Sequence, residues 1–204
     1  MTRLTQLALL AALILWMAGC SESPQATKAP ELEKPAEPVS ALEAYYQLFP
    51  MARAWAPDLE LLQMADIRVP DIKPVPGKAA AWQAVFVSPS KRRARRFVYS
   101  VVKTEDLAKG VSPSSEESYT PRGQARPFRI AAFKIDSVDA YKTALQRSAE
   151  YVKKNPEKPV TFLLESTPEF PNPAWRVIWG DSVLVSNYSV YVDATTGGYL
   201  RTMR

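Results

Sequence analysis

Apolar and polar positions divide the chain into three regimes. From Leu7 to Met17 every residue is apolar, an eleven-residue run behind the positive Arg3. At about 1.5 Å per residue such a helix falls short of a ~30 Å hydrocarbon core, so the run reads as the central region of an export signal and not as a membrane span. From Ser21 to Val39 large apolar side chains almost vanish, and Pro24, Pro30, Pro35 and Pro38 stand among two lysines and four glutamates. A stretch of that kind buries no core and reads as a semi-extended tether, reaching about 60 Å in polyproline geometry. From Ser40 onward the periodicities of folded structure begin.

Ser40-Ala41-Leu42-Glu43 is a capping box opening a helix through Tyr45, Tyr46 and Phe49, which Pro50 is expected to kink or end. A strand is predicted around Leu59 to Ile67. After Pro70, Pro74 and Pro76, the alternation of Trp82, Ala84 and Phe86 leads into a hairpin returning through Phe97 to Val102. The order then recurs. Ser137 is placed to cap a helix carrying Val138, Ala140, Tyr141, Ala144 and Leu145 and ending near Lys154 and Asn155. Val160 to Leu164 reads as a strand, Trp175, Val177 and Trp179 repeat the aromatic face, and Tyr188-Ser189-Val190 repeats Tyr99-Ser100-Val101. The offsets are 97 at the caps, 93 at the tryptophans and 89 at the tyrosines.

This pattern predicts an α+β fold of two α-β-β-β repeats, each a helix packed on its own small antiparallel sheet, with the two packed together because either alone buries little surface. The expected organisation is a signal peptide over 1–19, a lipidated cysteine and tether over 20–39, a first repeat over 40–103, a connecting segment over 104–127 and a second repeat over 128–204. The connecting segment is expected to hold a short helix near Thr104 to Ala108, and Phe128 to Ile135 a strand.

Two segments resemble known families. Ala18-Gly19-Cys20 resembles the lipobox of bacterial lipoproteins, with Met17 where leucine is commoner. The resemblance implies cleavage before Cys20 and acylation of its thiol, palmitate included, with durable anchoring at about 0.8 kcal/mol per buried CH₂. Ser21 after the cysteine resembles the outer-membrane sorting pattern, which in a Gram-negative cell implies an outer-membrane protein facing the periplasm. Tyr191-Val192-Asp193-Ala194-Thr195-Thr196-Gly197-Gly198-Tyr199-Leu200 resembles the last hairpin of PepSY-type domains. There Asp193 can accept turn amides and Gly197 can supply a positive φ, with Thr196 between them. That resemblance covers about 137–204 well and 40–102 loosely. It implies an exported module that restrains peptidases or mediates extracytoplasmic contacts.

Composition narrows the chemistry. The chain has no histidine and one cysteine, which removes histidine-based triads, His-ligated metals, thiolate zinc clusters and internal disulfides. No metal or cofactor is expected, and seven glycines leave no phosphate-cradling loop. Residues 41 to 204 carry 23 Lys and Arg against 17 Asp and Glu, a net charge of +6. For an exported protein this points to anionic lipid or glycan and not to nucleic acid.

Five cations, Lys91, Arg92, Arg93, Arg95 and Arg96, crowd the first hairpin. They read either as a solvated tip that guards a sheet edge or as an anion-binding finger. Trp82, Phe86, Trp175 and Trp179 read either as core or as a sugar-stacking platform. Glu165, Glu169, Asp181 and Asp193 are the remaining carboxylate candidates for catalysis, and Ser88 or Ser90 beside Lys91 the remaining nucleophiles. The expectation is therefore a non-catalytic, lipid-anchored envelope protein, held to the membrane through Cys20, that presents a module binding an envelope protein. The alternative is a structural lipoprotein gripping anionic lipid or glycan through the basic hairpin.

Overall fold

The computed structural model describes residues 36–204 apart from Arg122 and Asn187. The signal segment, Cys20 and most of the tether lie outside the described residues. Helix α1 (Ala41–Trp55) is followed by β1 (Glu60–Ile67), β2 (Ala81–Ser88), β3 (Arg93–Ser100) and β4 (Gly110–Ser118). After a short 3-10 turn at Ile130–Ala132 come α2 (Ser137–Lys154), β5 (Val160–Glu165), β6 (Ala174–Trp179), β7 (Ser189–Asp193) and β8 (Tyr199–Met203).

The strands form one eight-stranded antiparallel sheet in the order β4-β3-β2-β1-β5-β6-β7-β8. This overturns the expected two helix-on-small-sheet repeats, and with them the fold implied by the PepSY resemblance. The cause is the pairing of β1 with β5, Met64 opposite Leu164, which gives both stretches a single sheet and a shared main core. Joining them removes two hydrogen-bonding edges that separate modules would expose. Each stretch also supplies a fourth strand. β4 occupies the segment read as a connection, where no helix forms between Thr104 and Ala108, and 128–135 holds the 3-10 turn instead of a strand.

Both helices cover the same face, because their inward residues and one row from the strands make one continuous core. In α1 the buried positions Ala41, Ala44, Tyr45, Leu48, Ala52 and Trp55 follow helical spacing, Tyr46 stays exposed, and the helix runs on through Pro50. α2 turns the small residues Ser137, Ala140, Ala144 and Ser148 inward, which lets its backbone approach the sheet closely. Trp82, Phe86, Trp175 and Trp179 are core residues, at most 1% exposed. Trp82 and Trp175 meet edge to face at 6.4 Å. Their indole N–H groups donate to the carbonyls of Val39 and Ile135, just ahead of the two helices.

The two helix N-termini also meet. Asp136, which caps α2, accepts from the amides of both Ser137 and Leu42, while Ser137 Oγ accepts from Ala41 N and donates to the Gly77 carbonyl. One carboxylate and one hydroxyl thereby satisfy amides of both helices and hold the β1–β2 loop in place.

Candidate active or binding cleft

β1 and β5 pair over only three residue pairs, ending at Ala65 opposite Leu163. Beyond that point Asp66 replaces a strand carbonyl, its Oδ1 accepting from Phe162 N at 2.6 Å. At this end of the pair lies a cleft of about 580 Å³. One wall is the β1–β2 loop, stiffened by Pro70, Pro74 and Pro76, and the other is the Pro156-Glu157-Lys158-Pro159 turn after α2. Gly77 holds the loop down. Its φ of +73° and its contact with α2 leave no room for a side chain, since a Cβ would lie 2.5 Å from Val138 Cα.

Asp66 lies on the inward row of β1 with Met64, opposite Trp82. Burial pushes its carboxyl up to about 6, against the pull of the Phe162 amide and, more weakly, of the Arg68 charge. Among the described residues no cation pairs with it, and Arg68, on the same strand end, is paired with Asp181. Tyr141 and Phe162 also line the cleft, whereas Lys73, Lys158 and Glu157 lie exposed on its outer parts. The sequence reading did not single out Asp66. Its signal was present in the alternation of β1, where Met64 and Asp66 must share a face and a carboxylate is therefore carried inward.

A folded-state pKa above the unfolded value means that Asp66 favours folding when protonated. Its contribution is complete below about pH 4 and is lost as the pH rises towards 6. Asp66→Asn keeps an acceptor for Phe162 N. It should match the wild type in urea unfolding at pH 4 and exceed it by about 1–3 kcal/mol at pH 8. Equal midpoints at both pH values would show that the carboxylate is not desolvated.

Of the five cations of the first hairpin, three make contacts within the fold, while Arg92 and Arg96 are exposed. Lys91 folds back, its Nζ donating to the Trp55 carbonyl at 2.6 Å and lying 5.3 Å from that indole's centroid. Arg93 donates to Ser118 Oγ, and Arg95 donates to the Ser114 carbonyl while lying over Phe97. Arg93, Arg95 and Arg96 belong to β3, whose partner β4 brings Glu116 opposite Arg95 and Glu117 opposite Ala94. Arg92, at φ 50°, makes the turn. Lys91→Ala should cost about 1 kcal/mol in urea unfolding by freeing the end of α1; an unchanged midpoint would show that the contact contributes nothing.

Ser88 is buried and donates to Asp58 Oδ1, and Asp58 also accepts from Ser90 N. These bonds hold the Asp58 carboxyl down at about 2. With Lys91 turned to Trp55, the Ser88, Ser90 and Lys91 side chains do not assemble as a nucleophile and its base. The four carboxylates also have separate environments. Glu169 pairs with Arg201 and Asp181 with Arg68. Glu165 is pushed up by burial, opposed by Arg176. Asp193 Oδ1 accepts from the amides of Thr195 and Thr196, and its Oδ2 accepts from Asn172. Burial raises Asp193, yet these hydrogen bonds outweigh it and hold the carboxyl below its usual range. Gly197, at φ +78°, completes that turn, and Thr196 Oγ1 accepts from Gly198 N.

No protein-family model matches the chain, and no curated protein matches it. Among solved structures, a candidate lipoprotein from Clostridium difficile 630 is 11% identical, with 78% of this chain and 91% of that chain covered and a TM-score of 0.43. A likeness at that score assigns neither a family nor an activity to this chain.

Proposed function

We propose that this is a non-catalytic lipoprotein of the bacterial cell envelope, anchored through Cys20, whose folded part binds a small ligand in the cleft beside Asp66. The carrying observation is that cleft. It is of the size that encloses a small molecule, walled by a proline-stiffened loop, and furnished with a carboxylate that makes no salt bridge among the described residues. One inward charge among aliphatic, proline and aromatic walls orients a ligand. The anchor rests on the apolar run from Leu7 to Met17 followed by Ala18-Gly19-Cys20.

The test purifies the full chain from its own membranes in detergent and compares the low-mass compounds released on denaturation with those from Val75→Trp, a variant that fills the cleft from an exposed position. A compound carried by the wild type and missing from the variant supports the reading, and identical profiles overturn it. In parallel, Cys20→Ala should abolish labelling by an alkyne-tagged palmitate and release the chain from the membrane fraction; labelling that survives would remove the anchor.

A further inference from the structure

The charged residues of the cleft differ in burial, and on the reading that the cleft is a binding site they define its ligand. Inside, Asp66 has one oxygen on the Phe162 amide and no ion-pair partner among the described residues. A partly desolvated anion with no salt bridge is costly, and a ligand cation offsets that cost. The ring of Tyr141, which also lines the cleft, suits the same sign of charge. At the exposed outer parts cations outnumber acids, Lys73 and Lys158 standing against Glu157. Lys73 and Lys158 have no ion-pair partner among the described residues, while Lys78 is already held by Glu43. Ile72, Val75 and Pro76 also line the cleft and offer only apolar contact.

We infer that the cleft binds a short peptide with a free ammonium group, the ammonium seated on Asp66 and an acidic end reaching Lys73 and Lys158. A ligand carrying only cations is repelled at the outer lysines, and one carrying only anions is repelled at Asp66. A zwitterion with an apolar middle satisfies both zones and matches a cavity that holds a few residues.

The test is equilibrium dialysis of the full chain in detergent against a mixed set of tripeptides of the form Xaa-Val-Glu with free amino termini, and against the same set N-acetylated, read by mass spectrometry. The expected result is binding of free-amine peptides by the wild type, weakened tenfold or more by acetylation and to a similar degree by Asp66→Asn. Asp66→Asn retains the acceptor for Phe162 N, so loss of the fold does not explain its effect. Absence of free-amine binding, or equal binding by Asp66→Asn, overturns the inference. Acetylated peptides held equally by wild type and Asp66→Asn, yet lost with Val75→Trp, overturn the ammonium assignment and leave the cleft as a site. Binding unaffected by Val75→Trp removes the cleft reading itself.

Discussion

Trp175→Ala is expected to lower the unfolding free energy by about 3–5 kcal/mol, the cost of emptying a large aromatic site in a packed core. For a domain of this size the melting temperature should fall on the order of 10 °C. Trp175 has no exposed surface and meets Trp82, Phe133 and Phe162 within 6.4 Å. Its indole also holds the Ile135 carbonyl at 2.7 Å, so truncation leaves a cavity and a freed carbonyl in the same place. Because both halves of the sheet share the main core, the whole fold should unfold in a single step. A thermal scan in which one part of the protein melts early and the rest at the wild-type temperature would contradict the continuous sheet.

The second large effect is expected at Gly77. Gly77→Ala places a Cβ 2.5 Å from Val138 Cα at a φ of +73°, so both the backbone preference and the contact oppose it. The left-handed conformation costs about 1–2 kcal/mol and the overlap with helix backbone about 1–3 kcal/mol more. Gly110→Ala is the control, since its φ is +89° but no atom lies within 4 Å. It should cost about 1–2 kcal/mol. If the two variants unfold at the same urea concentration, the β1–β2 loop is not seated on α2. Relief at Gly77 requires the loop to lift, which also breaks the bond from Ser137 Oγ to the Gly77 carbonyl and opens one wall of the cleft. Ligand binding should therefore weaken in Gly77→Ala and persist in Gly110→Ala.

Local signals were legible where they were physically local. The capping box at Ser40 forms with both of its hydrogen bonds, and the tryptophan rows mark the inward faces of β2 and β6. The second cap lies one residue earlier than the sequence indicated. Asp136 takes that position, and Ser137 serves the opposite helix and the loop. Edge strand β4 was hidden because Gly110 to Ser118 is polar and carries Pro113, a composition that an edge tolerates and that reads as a loop. The joining of β1 to β5 was not legible, since three pairs formed across about a hundred residues leave no local periodicity. Asp66 was overlooked for a related reason: its inward direction follows from alternation, but its place beside a cleft depends on where that pairing ends. The basic hairpin drew attention as a run of charge, while its hydrogen bonds to Trp55, Ser114 and Ser118 depend on tertiary contacts.

The most direct test of the account follows backbone amide chemical shifts of the full chain in detergent during titration with a low-mass extract of its own cell envelope. Shifts are expected to concentrate at Asp66 to Ala80 and Glu157 to Phe162, the two segments that wall the cleft. Shifts confined instead to Arg92 through Arg96, with the cleft segments unmoved, would contradict the cleft reading.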